Sequence, residues 1–323
     1  MEGYRHMTAF QLAESVTAQA EKIIVGKARQ IRLIIMALLA EGHVLLDDLP
    51  GVGKTTLVKT LAIATGCDSR RVQFVPDLMP ADIVGMNIFD QRRSDFRLLP
   101  GPVMTNLLLA DEINRAIPRT QAALLEAMEE KQVTIDGVSL PLPAPFIVMA
   151  TQNPVEAETT FQLPAAQMDR FLIRLSMGYP SREEERAMLE NLGDVIPYGL
   201  VSAVTCAEEL VAVQQSIRAV RATTPVTDYV VDLIRRTREH PLVRIGASPR
   251  ASRAVYKAGK AWAAMQGRAF MTPDDVQELA VPVLAHRLLL STEARLSGKS
   301  AENILTDILA ALPVPPGDEE IFS

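Results

Sequence analysis

From about residue 20 to residue 178, short apolar runs alternate with stretches of helical periodicity. The runs are Val44-Leu45-Leu46, Val72-Gln73-Phe74-Val75, Leu107-Leu108-Leu109-Ala110, Phe146-Ile147-Val148-Met149-Ala150 and Phe171-Leu172-Ile173. Several lack the period-two alternation of a half-wet sheet, which predicts parallel strands covered on both faces by helices. After Pro180 the strand-like runs nearly vanish. Ser181-Arg182-Glu183-Glu184 has capping-box spacing, and Ser248-Pro249 and Thr272-Pro273 each set an N-cap hydroxyl before a proline at the first helical position. The pattern predicts an α/β core over residues 1–180 and a smaller all-helical domain over 181–323. Within the core, Asp136-Gly137 between alternating segments predicts a tight hairpin. Asn87–Asp90 and Phe96–Leu99 predict a second hairpin inserted between core elements.

Composition changes this picture little. The chain has 323 residues, enough for about two domains without disulfides, and its 48% apolar and 22% charged content is that of a globular protein. The formal net charge is −6 with no Lys/Arg block, so bulk charge recruits neither a nucleic-acid backbone nor an anionic membrane. Cys67 and Cys206 show no metal-ligand spacing, and His6, His43, His240 and His286 form no ligand-spaced pair. Two thiols of this kind fit a reducing compartment. The N-terminus has no apolar leader and no apolar stretch is long enough to span a bilayer, so the expected location is the cytoplasm.

The chemistry begins where the first strand runs into Asp48-Leu49-Pro50-Gly51-Val52-Gly53-Lys54-Thr55-Thr56, followed by a helical pattern. Strand, glycine loop and helix in that order make a nest of inward-pointing backbone N–H groups suited to a pyrophosphate. Lys54 would reach the β/γ oxygens and the Thr55 hydroxyl would complete a Mg²⁺ shell. The general pattern G-x-x-x-x-G-K-[ST] wants glycine where this chain has Asp48. A second strand ends in Asp111-Glu112: Asp111 can hold Mg²⁺ through water, and Glu112 can polarise an attacking water. A third strand ends in Gln152-Asn153, and Asn153 can hydrogen-bond both water and γ-phosphate. Arginines near structural breaks could neutralise transition-state charge. Arg170 and Arg250 are the main candidates, with a pair to Asp169 or Glu158 and a wet helix face as their plain alternatives; Arg115 and Arg119 are further ones.

Taken together, Asp47–Thr55, Ala110-Asp111-Glu112-Ile113-Asn114-Arg115-Ala116, Leu124–Glu130, Ala150-Thr151-Gln152-Asn153-Pro154, Gln167–Phe171 and Gly246–Arg250 resemble the MoxR family of AAA+ ATPases over nearly the whole chain. That family commonly carries an acidic residue at the position of Asp48. The resemblance implies an AAA+ core with a parallel five-stranded sheet, a hairpin insertion around residues 86 to 99, and a small C-terminal all-α lid domain. It also implies ATP and Mg²⁺ as ligands. By position, Pro50 to Thr56 belong to the Walker A loop, Asp111 and Glu112 to Walker B, and Asn153 to sensor 1. Arg170 resembles an arginine finger that enters a neighbouring subunit, and Arg250 resembles sensor 2, acting within its own subunit or on the next. The family further implies a homo-oligomeric ring, usually hexameric, that hydrolyses ATP to mature or assemble client complexes. A partner with a von Willebrand factor A domain often takes part. The stretch Glu156 to Ala165 departs from the family: it lacks the usual glycine, and Ala165 stands where an acidic residue is common. Two other readings stand beside it, the second implied by the resemblance, since related AAA+ proteins with the same hairpin insertion act on DNA. One is an ATP-dependent binding switch with little turnover; the other is a DNA-processing motor, which the net charge opposes.

Overall fold

The computed structural model describes residues 7–48, 51–92, 94–152, 160–192 and 196–315, divided into two compact units at Gln215/Ser216. In the first unit, helices α1 (Ala9–Glu21) and α2 (Ala28–Leu39) precede strand β1 (Val44–Asp47), helix α3 (Lys54–Thr65) and strand β2 (Ser69–Gln73). A short helix α4 (Pro80–Val84) leads into the β3 (Gly85–Asp90) and β4 (Asp95–Pro100) hairpin. Then come β5 (Leu107–Asp111), α5 (Pro118–Glu130), the β6 (Gln132–Ile135) and β7 (Val138–Pro141) hairpin, β8 (Ile147–Gln152), α6 (Ala165–Met168) and β9 (Ile173–Leu175). Helices α7 (Arg182–Leu192) and α8 (Ala207–Ile217) follow.

Five strands form one parallel sheet in the order β2-β5-β8-β1-β9. Successive side chains point to opposite faces, and both faces are dry. Leu45, Leu108, Ala110, Val148 and Ala150 pack with Leu124, Leu125 and Met128 of α5 and with Val133 and Ile135 of β6. On the other face Leu107, Ile147 and Met149 meet Leu12 and Val16 of α1, Ile34, Ile35 and Leu38 of α2, and Leu61 of α3. Near-continuous apolar runs therefore form because each strand must satisfy two apolar layers. His43 is spent on this packing: its Nδ1 accepts from Val148 N at 3.0 Å, and its Nε2 lies 3.1 Å from the Met128 carbonyl.

The two hairpins form where the polar pattern breaks. Asp136 (φ 48°) and Gly137 (φ 80°) make the two-residue turn between β6 and β7. The β3–β4 ladder pairs Gly85 with Pro100 through Asp90 with Asp95. It leaves Phe89 and Phe96 exposed, 54% and 68%, stacked edge to face at 5.4 Å. Its base is narrow. A Cβ on Gly101 would stand 2.1 Å from the Ile83 carbonyl oxygen, and one on Gly85, which also has φ 103°, 2.5 Å from that of Leu99.

The first unit reaches 35 residues further than the division at 180 read from the sequence, because the helical segment after Pro180 docks on it. The expected Ser181–Glu184 capping box closes at 2.8 and 3.2 Å, and the Glu184 side chain fills the space over Gly26, where a Cβ would meet it at 1.8 Å. Further on, Lys22 Nζ donates to the Leu200 carbonyl, Val204 N to that of Ala64, and Gln214 Nε2 to that of Leu38 at 2.7 Å. Helical periodicity marks a change of element type, and here that change comes before the change of domain.

The second unit holds α9 (Thr224–Glu239), β10 (Val243–Ile245), α10 (Pro249–Met265), α11 (Pro273–Leu284), β11 (Leu289–Leu290), α12 (Thr292–Leu296) and α13 (Ala301–Ala311). Its core gathers Leu233, Ile234, Val255, Val276, Leu279, Ile304 and Leu305. Thr272 is the N-cap of α11 with Pro273 after it, as expected, and Asp275 completes a capping box that the sequence reading did not include. Ser248 sits at the N-cap of α10 without a side-chain capping bond. Among the described residues, the departures from an all-helical unit are the antiparallel β10–β11 pair and a single parallel bridge between Arg221 and Phe270.

Candidate functional site

The loop after β1 is shaped by backbone conformation. Gly51 has φ 86°, and Gly53, the N-cap of α3, has φ 83°, both in the left-handed region that glycine enters without a Cβ penalty. Among the described residues beyond its chain neighbours, no heavy atom lies within 4 Å of where a Cβ would stand on either. The glycines therefore leave clearance on the cleft side rather than relieving a packing clash. The first-turn N–H groups of α3 point out of the helix, as helix starts require, and form a positive terminus for anions. Lys54 Nζ donates to the Asp48 carbonyl at 3.0 Å. Pro50 lies outside the described residues.

Asp48 explains its own departure from the glycine pattern. It is 5% exposed, and its carboxylate accepts three hydrogen bonds from the chain after β9. Oδ1 takes Ser176 Oγ at 2.7 Å and Gly178 N at 3.0 Å, while Oδ2 takes Met177 N at 2.7 Å. A buried carboxylate is tolerable when donors satisfy it in this way. Side chain and carbonyl together tie the loop entrance, the exit of β9 and Lys54 into one unit.

Facing the glycine loop is an acidic wall at the carboxyl ends of β5 and β8. Thr151 Oγ1 donates to Asp111 Oδ1 at 2.6 Å and accepts the Glu112 N–H at 2.8 Å, so one buried hydroxyl sets both acidic residues. Glu112 is left-handed, φ 57° and ψ 49°, a conformation that costs a non-glycine residue about 1 kcal/mol. Arg71 Nε and Nη2 donate to Asp111 Oδ2 at 3.1 and 2.7 Å. Gln73 Nε2 and Arg115 Nη1 donate to Glu112 Oε2 at 2.7 and 3.1 Å. Between the walls lies a cleft of about 380 Å³, lined by Gly51 and Gly53 to Thr56 on one side and by Arg71, Gln73, Asp111 and Glu112 on the other.

The donor set suits a magnesium ion shared with a polyphosphate. No group of three or more His, Cys, Asp or Glu converges among the described residues, so no closed metal cage is present there. Thr55 and Asp111 each line the cleft with one oxygen donor group. Mg²⁺ takes few protein oxygens and fills its octahedron with waters and phosphate oxygens, so the residues present fit it.

The remaining candidates are dispersed. Arg170 Nε lies 2.9 Å from Glu129 Oε2 of α5, a partner the sequence did not suggest, and Glu158 lies outside the described residues. Arg115 joins the acidic wall, Arg119 is exposed on α5, and Arg250 is exposed in the first turn of α10, in the second unit. Asn153 and residues 154–159 lie outside the described residues. The rest of the atypical stretch is anchored: Phe161 N donates to the Asn114 carbonyl at 2.7 Å, and Gln121 Nε2 reaches the Phe161 carbonyl at 2.8 Å. Sequence reasoning missed Arg71, Gln73 and Gln121. For the first two the available signal was a polar pair at period two entering the apolar Phe74-Val75.

Residues 43–173 match the model of the ATPase family associated with various cellular activities (AAA), and residues 235–308 that of the AAA lid domain. The chain is 40% identical to Chaperone MoxR1 of Mycobacterium tuberculosis, across 94% of this chain and 82% of that protein. It is 47% identical to the uncharacterised protein YeaC of Bacillus subtilis, across 91% and 92%. A crystal structure from Cytophaga hutchinsonii, provisionally described as an ATPase, superposes with a TM-score of 0.89 at 34% identity, covering 95% of this chain and 96% of that one. No helix of the described residues is long and apolar enough to cross a membrane.

Proposed function

Because the chain belongs to the MoxR family of AAA+ ATPases, we propose that it hydrolyses ATP in the cleft between its glycine loop and its acidic wall, acting in a homo-oligomeric ring that remodels client protein complexes. The observation that carries this reading is the convergence of Lys54, Thr55, Asp111 and Glu112 on one cleft. The loop N–H groups and Lys54 bind and orient the phosphates. Lys54 would exchange the Asp48 carbonyl for phosphate oxygens, a charge-assisted contact stronger than the neutral one it leaves. Mg²⁺, held by Thr55 and Asp111, would offset negative charge on the transferred phosphoryl group. Glu112 takes the position that orients the attacking water, provided that Gln73 and Arg115 release its carboxylate. Asn153 is assigned the γ-phosphate contact, and Arg250 the sensor 2 role, in its own subunit or on the next.

A neighbouring subunit's Arg170 is the proposed source of the remaining positive charge, after it leaves Glu129. Ring closure, in a hexamer, follows from that shared site, and the clients are protein complexes reached in the cytoplasm, in some cases through a von Willebrand factor A domain partner. The engagement of the Glu112 carboxylate by two donors favours one second reading, a nucleotide-dependent switch with little turnover.

The deciding measurement is ATP turnover per subunit across a wide range of protein concentration, with Arg170→Ala alongside. Specific activity that climbs with concentration in the wild type and stays low in the variant supports shared sites. Activity independent of both concentration and Arg170, in a protein shown to be monomeric when dilute, overturns them; tight nucleotide binding without turnover favours the switch.

A further inference from the structure

Arg71 and Gln73 stand two residues apart on β2 and therefore on one face of the strand. Arg71 gives two N–H groups to Asp111 Oδ2, and its Nη2 also reaches Gln73 Oε1. Gln73 in turn donates to Glu112 Oε2 at 2.7 Å. One unbroken chain of hydrogen bonds thus joins the carboxylate placed for metal to the carboxylate placed for water. Thr151 occupies Asp111 Oδ1, so Oδ2 is the oxygen that faces the guanidinium. A guanidinium and a divalent cation repel each other, and both cannot be served by that one oxygen. The arginine is the member of the pair with room to move into solvent: its side chain is 48% exposed, against 14% for that of Asp111.

We propose that Arg71 is a counter-ion of Asp111 that Mg²⁺ must displace, and a positioning residue for the ATPase site. It must leave Asp111 before that carboxylate can hold Mg²⁺, and its departure removes one partner of the Gln73 amide that restrains Glu112. Metal occupancy and release of the water-orienting carboxylate are thereby linked through side chains of a neighbouring strand. The inference rests on the nucleotide reading above, and its test keeps the two apart.

The experiment is a MgCl₂ titration of fluorescent ATP analogue binding, without turnover, in the wild type, Arg71→Met and Arg71→Lys. Removing the competing cation in Arg71→Met is expected to lower the Mg²⁺ concentration at half-saturation about two- to fivefold, the scale of an ion pair open to solvent. Arg71→Lys keeps the charge but not the two-pronged contact and is expected to fall between. An unchanged midpoint in Arg71→Met, with nucleotide still bound, overturns the handover and leaves the nucleotide reading standing. A raised midpoint also overturns it, because Arg71 would then be a phosphate ligand. If the wild type binds no nucleotide at any Mg²⁺ concentration, the nucleotide reading fails and the handover with it.

Discussion

The wall of the cleft made by Gly51 to Thr56 presents backbone, whereas the wall made by β2 and β5 presents side chains already engaged with one another. On the first, Gly51 and Gly53 hold left-handed conformations and point no side chain at a ligand. On the second, Thr151, Arg71, Gln73 and Arg115 all have their hands on Asp111 or Glu112. The backbone of the glycine wall is therefore ready for phosphate as it stands, with only Lys54 to turn from the Asp48 carbonyl. The acidic wall must exchange partners before it can work, so binding and turnover are expected to separate under mutation.

The sharpest separation should come from Glu112→Gln. Loss of a general base costs about 10²- to 10⁴-fold in rate, so turnover is expected to collapse while equilibrium dialysis still finds ATP bound. A variant hydrolysing at the normal rate would break the assignment of Glu112. Next in size is Lys54→Ala, which strips the fixed wall of its one cation. A charge-assisted contact of about 1.5–3 kcal/mol predicts a loss of roughly 10- to 100-fold in ATP affinity by calorimetry, and equal affinity would show that the loop is not the phosphate site.

Asp48→Ala tests whether the fixed wall is fixed by Asp48. It leaves the buried Met177 N–H and the Gly178 N–H without their acceptor, at about 1–3 kcal/mol for each buried group. Urea unfolding is expected to show a loss of about 3 kcal/mol, and a loss under 1 would mean that water replaces the carboxylate. The smallest effect concerns the far end of α3. Burial, which outweighs the other influences, pushes the Cys67 thiol above its ordinary value, while Cys206 is exposed. Thiol labelling near pH 8 should show a fast Cys206 and a slow Cys67, whose rate rises with pH past the usual thiol range. Saturating ATP should change the slow phase less than twofold. A large acceleration would mean that α3 yields on binding, and the contrast between the walls would dissolve.

The same contrast decides what could be read from the sequence. The glycine loop was legible because glycine and lysine at fixed spacing act locally, through φ and a helix terminus. Four core strands were placed within a residue or two, because two-sided burial writes itself as apolar runs; β9 begins at Ile173 and not Phe171. β2 was the poorest match. It sits at the edge of the sheet and begins at Ser69 with Arg70 and Arg71 exposed, and the buried Phe74 falls just after its end. Arg71 and Gln73, which hold Asp111 and Glu112, come from that strand. Their contact depends on the register that sets Gln73 beside Asp111, which no local pattern contains. The role of Asp48 was hidden for a similar reason: its donors lie about 130 residues away.

The narrow base of the β3–β4 hairpin has a consequence for how such a chain diversifies. Gly85 and Gly101 bring the two crossings of the chain into contact with each other's backbone, while the ladder beyond carries its aromatic pair away from the core. Past that neck Leu98 still leans on the core and Asn87 on Asp136, so the part structurally free to change in length is the tip beyond them, whereas a single methyl group added at either glycine would jam the joint.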